Sequence, residues 1–151
     1  MAGLGRRNIE VRDNTKEVLN LLDAAIRRGN EAIGLSAEGH AKNKITRAGA
    51  VDTGRLRNSI TYALAGEAPH VKQYRGYKRG EGEEKRAIYG YEGVAPGKKG
   101  DGVYIGTNVE YAEGIELGTH RKAGAVHFLK DAATGHTAEY KRIMEESLKN
   151  A

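Results

Sequence analysis

Cysteine and tryptophan are absent from this chain of 151 residues, which also holds only two prolines and one phenylalanine. The absence of cysteine excludes disulfides and thiolate metal sites, and it fits a reducing compartment. Apolar residues make up only 38% of the chain, so we expect one domain with a modest, aliphatic core. Such a small core suggests that contacts with neighbouring subunits supply part of the stability.

Long apolar segments are missing as well. No apolar run approaches the roughly 20 residues that a membrane-spanning helix needs, and the N-terminal sequence MAGLGRRNIE lacks the apolar centre of a secretory signal. We therefore expect no membrane partner and synthesis in the cytoplasm. The net charge of +5 permits contact with nucleic acid or with an acidic protein surface. It requires neither, because acidic residues are mixed with basic ones along the whole chain.

Helical periodicity dominates the first third of the chain. Apolar residues recur at helical spacing over 14–48, and no proline interrupts this segment. Asp13 or Asn14 is expected to cap the helix. Each glycine inside a helix weakens it by up to about 1 kcal/mol relative to alanine, so we expect a kink or break at the three that occur here. These glycines are Gly29, Gly34 and Gly39.

The remaining patterned segments indicate short strands and helices. VDTGRLRNSI predicts a short helix whose Leu56 and Ile60 face the core, and TYALA predicts a strand after it. GVYIGTN predicts a second strand, and a short helix that ends at Gly118 follows it. The segment 128–151 is amphipathic and predicts a final helix with an interruption at Gly135.

Residues 66–100 differ in composition from the rest of the chain. They hold both prolines, many charges and four tyrosines. Since no core can be built from them, we predict an extended β-hairpin or loop inserted between two core strands. Tyrosine can stack on bases and arginine can neutralise phosphate, but a solvated arm that orders only on assembly is the favoured alternative. The candidate interface or DNA-facing residues of this arm are Tyr74, Arg75, Tyr77, Lys78, Arg79 and Arg86.

Motifs for catalysis or cofactor binding are not found in the sequence. The glycines form neither a phosphate loop nor a dinucleotide fingerprint, and the adjacent carboxylates lie in polar runs. None of the five histidines has a second histidine four positions away, and we expect neither an HxH nor an HxxE arrangement. A weak metal site of Glu116, His120 and His127 stays open as a minor alternative. We expect no enzyme, no cofactor and no metal.

Three short motifs follow one another in a set order: VDTGRLRNSI, then VYIGTNVEYAEGIELGT, then HFLKDA at the start of the final helix. This order resembles a family of small tail-component or neck proteins of long-tailed bacteriophages. The resemblance covers the chain apart from 66–100, and the prolines common near the last motif in that family are absent here. The matching residues are Asp52, Thr53, Gly54, Leu56, Ser59, Ile60, Gly106, Thr107, Tyr111, Ala112, Glu116, Gly118, Thr119, Phe128, Leu129 and Ala132.

This resemblance implies a structural protein of the virion that assembles as a ring, expected to be a hexamer, and that has no catalytic role. The implied partners are further copies of the chain and the head-closure, tail-terminator and tail-tube proteins, with non-specific contact to genomic DNA in the channel. The implied location is the virion, after assembly in the host cytoplasm. The alternative function is a small basic nucleic-acid-binding protein that uses the arm over 66–100.

The motif residues are expected to serve the fold and its docking surface. Tyr111 should anchor the short helix by its ring, and Gly118 should close that helix in the left-handed conformation. Glu116 is expected to accept hydrogen bonds from backbone amides or to pair with an arginine, either Arg55 or Arg57. The candidate interface residues outside the arm are Arg55, Arg57, His120, Arg121 and Lys122.

Together these patterns predict an α+β fold with a long N-terminal helix, a small and mainly antiparallel sheet, and a C-terminal helix packed on it. The insert is expected to project from the sheet. The predicted single domain spans 1–151 and is divided into a flexible N-terminus over 1–13, the long helix over 14–48, core segments over 51–65 and 101–151, and the arm over 66–100.

Overall fold

The computed structural model describes residues 9–50, 54–67, 102–119 and 121–151 in full, together with the backbone of 70–79 and 85–94. The last two helices are separated at Gly135, which confirms the predicted interruption. The elements in chain order are α1 Thr15–Arg47, α2 Arg55–Ser59, β1 Thr61–Leu64, β2 His70–Arg79, β3 Lys85–Val94, β4 Val103–Gly106, α3 Ala112–Leu117, α4 Phe128–Thr134 and α5 Thr137–Lys149.

The described strands form two antiparallel pairs, β1 with β4 and β2 with β3. The insert between β1 and β4 is therefore a β-hairpin, one of its two predicted forms, and it contacts the rest of the described chain mainly through α2, β1 and β4. The predicted α+β fold with a long N-terminal helix and a C-terminal helix is confirmed. The registers run from Thr61↔Gly106 to Leu64↔Val103 and from His70↔Val94 to Arg79↔Lys85.

Helix α1 is continuous over its whole length. The break that we expected at its glycines does not occur. Two of these glycines are buried where another element approaches the helix backbone. A Cβ on Gly29 would lie 2.7 Å from Met144 Sδ, and a Cβ on Gly34 would lie 2.3 Å from the ring of Tyr62. Both distances are far inside van der Waals contact. The glycines therefore allow α5 and β1 to pack directly on α1.

Alanine substitutions are expected to have opposite effects at Gly34 and Gly39. Gly34→Ala places its Cβ against Cγ and Cδ2 of the Tyr62 ring, so we expect the free energy of unfolding to fall by about 1–2 kcal/mol. A Cβ on Gly39 meets open space, and the better helix propensity of alanine should raise that free energy by up to about 1 kcal/mol. Urea titration of both variants measures the difference. Equal effects at the two positions would contradict the packing role of Gly34.

The core lies between the second half of α1, the short helix α2 and the segment from β4 to α4. Phe128 is fully buried there together with Ile45. The predicted inward orientation of Leu56 and Ile60 is confirmed, since both side chains are buried. The core is modest and largely aliphatic, as the composition indicated. The buried cluster consists of Ala41, Ile45, Leu56, Ile60, Val109, Ala112, Val126, Phe128 and Ala132.

Helix α5 lies antiparallel to α1. Near its C-terminal end, the hydroxyl of Ser147 donates to the carbonyl oxygen of Ala25 at 2.6 Å. In its first turn, Oε2 of Glu139 lies 2.8 Å from Nε2 of His40. The buried residues of α1 begin at Ala25, and residues 15–24 precede them. We call this segment the α1 overhang.

Candidate assembly surface

Side-chain hydrogen bonds join the two motif segments that flank the hairpin. The buried Ser59 hydroxyl donates to the carbonyl oxygen of Leu56 at 2.7 Å and lies 2.5 Å from the hydroxyl of Thr107. The Thr107 hydroxyl oxygen accepts the N–H of Val109 at 3.2 Å. Ser59 precedes the hairpin in the chain and Thr107 follows it. These bonds therefore hold the end of α2 against the end of β4.

Glu116 connects α3 to the start of α4. Its Oε2 accepts the backbone N–H of Leu129 at 2.8 Å, and its Oε1 accepts the N–H of Lys130 at 3.0 Å. The first turn of a helix has no intrahelical acceptor for its N–H groups, and α4 has no side-chain cap of its own. Of the two predicted partners for Glu116, the structure therefore shows the backbone amides.

Arg55 pairs with Glu110 and not with Glu116, which corrects one of the two predicted arginine partners. Its guanidinium donates to both carboxylate oxygens of Glu110, at 2.9 and 3.1 Å. The same guanidinium lies 5.8 Å from the centre of the Tyr111 ring, a cation–π distance. Tyr111 occupies the N-cap of α3 and is 40% exposed. Its ring thus links the start of α3 to α2 while it remains accessible to a partner.

Gly118 closes α3 in the left-handed conformation, with φ of 74°, as the sequence predicted. A Cβ at this position would lie 2.4 Å from the backbone nitrogen of Ala125. The loop turns back here so tightly that the N–H of His127 reaches the carbonyl oxygen of Glu116 at 3.1 Å. The position requires glycine for two separate reasons, the sign of φ and the close approach of the returning backbone.

An open pocket of about 580 Å³ lies between the end of α1, the returning loop and α4. Lys44, Arg121 and Lys130 line it, and Asp131, the acidic residue among the described ones that line it, lies 3.9 Å from Lys44 Nζ. His127 also lines the pocket and has a φ of 52°, a conformation that is uncommon outside glycine and often marks functional positions. The excess of positive charge suits a carboxylate or phosphate group of a partner.

Among the predicted interface residues, Arg121 is the one that the structure places in this basic pocket. Lys122 and Thr119 are exposed in the same loop, and Arg57 is half-buried on α2. The predictions for Asp52, Thr53 and His120 lie outside the described residues. For the arm, the structure describes the backbone alone, on β2 and β3, at Tyr74, Arg75, Tyr77, Lys78, Arg79 and Arg86.

The α1 overhang carries large aliphatic side chains that are exposed to solvent. Three of them, Val18, Leu21 and Leu22, precede Ala25 by seven, four and three positions, so they continue the face of α1 that packs on α5. Leu19 lies one turn before Leu22 and borders this face. Nothing in the described part of the chain buries this continuation. Exposed apolar patches of this kind mark sites of protein–protein contact. The four side chains and their exposed fractions are Val18 59%, Leu19 52%, Leu21 53% and Leu22 40%.

One cluster of potential metal ligands escaped the sequence analysis, namely His40, His136 and Glu139. His136 and Glu139 are three positions apart, so the sequence does contain an HxxE arrangement, and the expectation that it has none was wrong. His40 lies on α1 and could be joined to them only by the fold. The minor alternative of a metal site at Glu116 loses support, because both Glu116 oxygens bind backbone amides.

Comparisons with protein-family models, with curated proteins and with solved structures give no significant match. Within the described residues, no helix is both long enough and apolar enough to cross a membrane.

Proposed function

We propose that this protein is a structural component of the neck or tail-completion region of a long-tailed bacteriophage. In this role it joins the tail to the head by assembling into a ring, without catalysis. The observation that carries the proposal is the apolar surface of the α1 overhang, which is exposed within the described chain. Exposed apolar patches mark sites of protein–protein contact, and a subunit of an assembly would bury this one.

A second copy of the same chain is the proposed occupant of this face. The overhang spans about 15 Å at about 1.5 Å per residue. A neighbour that covers Val18, Leu19 and Leu22 would stabilise the segment as it buries their apolar surface. When one face of a subunit meets a different face of the next, repetition of the contact forms a ring if the rotation between subunits closes, and an open filament if it does not. We propose the closed form.

The motif residues support the same function, since the fold uses them to hold its elements together. Ser59 and Thr107 join the segments on either side of the hairpin. Both carboxylate oxygens of Glu116 accept backbone N–H groups at the start of α4, and Phe128 is buried in the core. A family that shares these residues preserves a shape, and a preserved shape is what docking between rings requires.

The hairpin and the basic pocket provide further contacts for the proposed assembly. A two-stranded hairpin is marginally stable by itself, so an adjacent subunit or ring that packs along the arm would order it. The pocket at Lys44, Arg121 and Lys130 would receive an acidic side chain of a neighbouring neck or tail protein, and complementary charge would set the orientation of docking. An arm that faces the channel would make weak, sequence-independent contact with the phosphates of the DNA.

The introduction of negative charge on the overhang tests the proposal. The double variant Leu19→Glu with Leu22→Glu should remain monomeric, because it places two carboxylates in the proposed subunit contact, while the wild-type protein forms a closed ring of discrete mass. Leu35→Glu is the matched control, since Leu35 is also an exposed leucine of α1, at 61%, but lies outside the overhang. Light scattering and native mass spectrometry across protein concentration measure the mass, and circular dichroism checks that each variant is folded.

A wild-type chain that stays monomeric up to its solubility limit, or a double variant that keeps the wild-type mass, would contradict ring assembly through the overhang. The alternative function as a nucleic-acid-binding protein makes a separate prediction. It requires the free chain to bind duplex DNA with a logarithmic salt slope of about −0.9 per neutralised phosphate. The proposed function predicts only feeble binding by the free chain in the same titration.

A further inference from the structure

The contact between α1 and the start of α5 contains a compact set of metal-ligating side chains. His40 comes from α1, His136 is the N-cap of α5, and Glu139 lies in the first turn of α5. One ligand atom from each residue can be chosen so that all three atoms lie within 4.8 Å of one another. Glu139 Oε2 is 2.8 Å from His40 Nε2 and 4.0 Å from His136 Nδ1. Ligands around a tetrahedral zinc ion, with bonds of about 2.0–2.1 Å to nitrogen, lie about 3.3 Å apart.

Two of the three side chains are oriented by a neighbour that leaves the ligand atom available. Ser36 donates its hydroxyl to Glu139 Oε1, so Oε2 is the oxygen that faces the histidines. Asp131 Oδ2 lies 3.4 Å from His136 Nε2, on the side of the ring away from Nδ1. A histidine that ligates a metal through one nitrogen and meets a carboxylate at the other is a recurrent arrangement in metal sites.

The cluster is open enough to admit an ion from solvent. The side chains of His40, His136 and Glu139 are 25%, 28% and 33% exposed, respectively. The two imidazole rings are stacked, with centroids 3.4 Å apart and planes within 7°. Because a metal–nitrogen bond lies in the plane of its imidazole ring, coordination would turn the rings out of this parallel stack. Both side chains are partly exposed to solvent, and binding of an ion requires this rotation.

From this geometry we propose that His40, His136 and Glu139 bind one divalent transition-metal ion of the class that imidazole prefers, with Zn²⁺ as the expected occupant and water as the fourth ligand. The ion would clamp α5 to α1, since its ligands come from both helices. The ligand set of two imidazoles and one carboxylate disfavours Mg²⁺ and Ca²⁺, which take oxygen ligands. This site is separate from the α1 overhang and does not depend on the proposed function.

Titration of the untagged full chain with ZnCl₂, after dialysis against a chelator, tests the site. Calorimetry should show one ion bound per chain. His40→Gln and Glu139→Gln should each weaken binding about tenfold or more. Asp131→Asn, which alters the partner of His136 but no ligand of the ion, should weaken it by about tenfold. His127→Asn is the control, because His127 is an exposed histidine outside the cluster and asparagine tolerates its positive φ. The control should bind as the wild type does.

Substitution with Co²⁺ provides a second readout that does not depend on stability. Binding at this site should give the visible absorption of four-coordinate cobalt, and both glutamine variants should lose that absorption while they keep the wild-type circular dichroism. In thermal unfolding, Zn²⁺ should raise the midpoint of the wild type and of His127→Asn but not of Glu139→Gln. Absence of zinc binding by the wild type, or binding that is unchanged in both glutamine variants, would overturn the proposal.

Discussion

Gly118→Ala is expected to lower the free energy of unfolding by about 2–5 kcal/mol. Alanine in the left-handed conformation costs about 1–2 kcal/mol, and forcing a methyl group into a filled space costs about 1–3 kcal/mol more. At Gly118 the obstacle is backbone, the nitrogen of Ala125 at 2.4 Å and the carbonyl carbon of Gly124 at 2.7 Å. Backbone cannot move aside as a flexible side chain does, so the loop that carries Arg121 should be displaced as well.

Gly124→Ala is the matched control for this substitution. Gly124 lies in the same loop with a φ of 80°, but a Cβ there meets open space. The control should therefore show only the conformational cost of about 1–2 kcal/mol. Guanidinium titration of both variants separates the two contributions. If the two substitutions lower the free energy of unfolding equally, the close contact between a Cβ at position 118 and the backbone of Ala125 does not contribute to the loss.

Glu116→Gln is expected to lower the free energy of unfolding by about 2–3 kcal/mol. The carboxylate accepts two N–H groups at the start of α4, and hydrogen bonds to a charged group contribute about 1.5–3 kcal/mol each. Glutamine has one carbonyl oxygen, and its NH₂ group would face the second amide, donor against donor. One of the N–H groups of Leu129 and Lys130 would then lose its acceptor.

Urea titration measures this loss, and hydrogen exchange at the amides of Leu129 and Lys130 locates it. Glu113→Gln is the control, since Glu113 is an exposed glutamate of the same helix α3, and its substitution should change stability by less than about 0.5 kcal/mol. Unchanged exchange at the two amides in Glu116→Gln would show that the carboxylate does not hold the start of α4 in solution.

The sequence predicted those features whose signals are local. The apolar periodicity without proline predicted α1, and Gly118 and Gly135 predicted the ends of α3 and α4. The change of composition after Gly66 marked the insert that forms the hairpin of β2 and β3. In each case the residues that carry the signal are the residues that form the element.

Other predictions failed because packing overrides local preference. The glycines of α1 lower helix propensity, yet the helix continues through them since Met144 and Tyr62 occupy the space that side chains at Gly29 and Gly34 would need. Propensity alone cannot distinguish a glycine that breaks a helix from one that admits a neighbour. The sequence also left open whether Glu116 accepts hydrogen bonds from backbone amides or pairs with an arginine. The position of α4 determines the partner, because it places the N–H groups of Leu129 and Lys130 next to the carboxylate.

The sequence by itself determined the α+β class, the order of the elements, the place of the arm and the closure of α3, because hydrophobic period, glycine and composition act over a few residues. Only the tertiary structure decided how α5 registers on α1. That register, in which Ser147 meets Ala25 and Glu139 meets His40, assembles the histidine–glutamate cluster and leaves the α1 overhang exposed among the residues that the structure describes. These groups are about a hundred residues apart in the chain. Their meeting depends on how two helices pack, which no local pattern encodes.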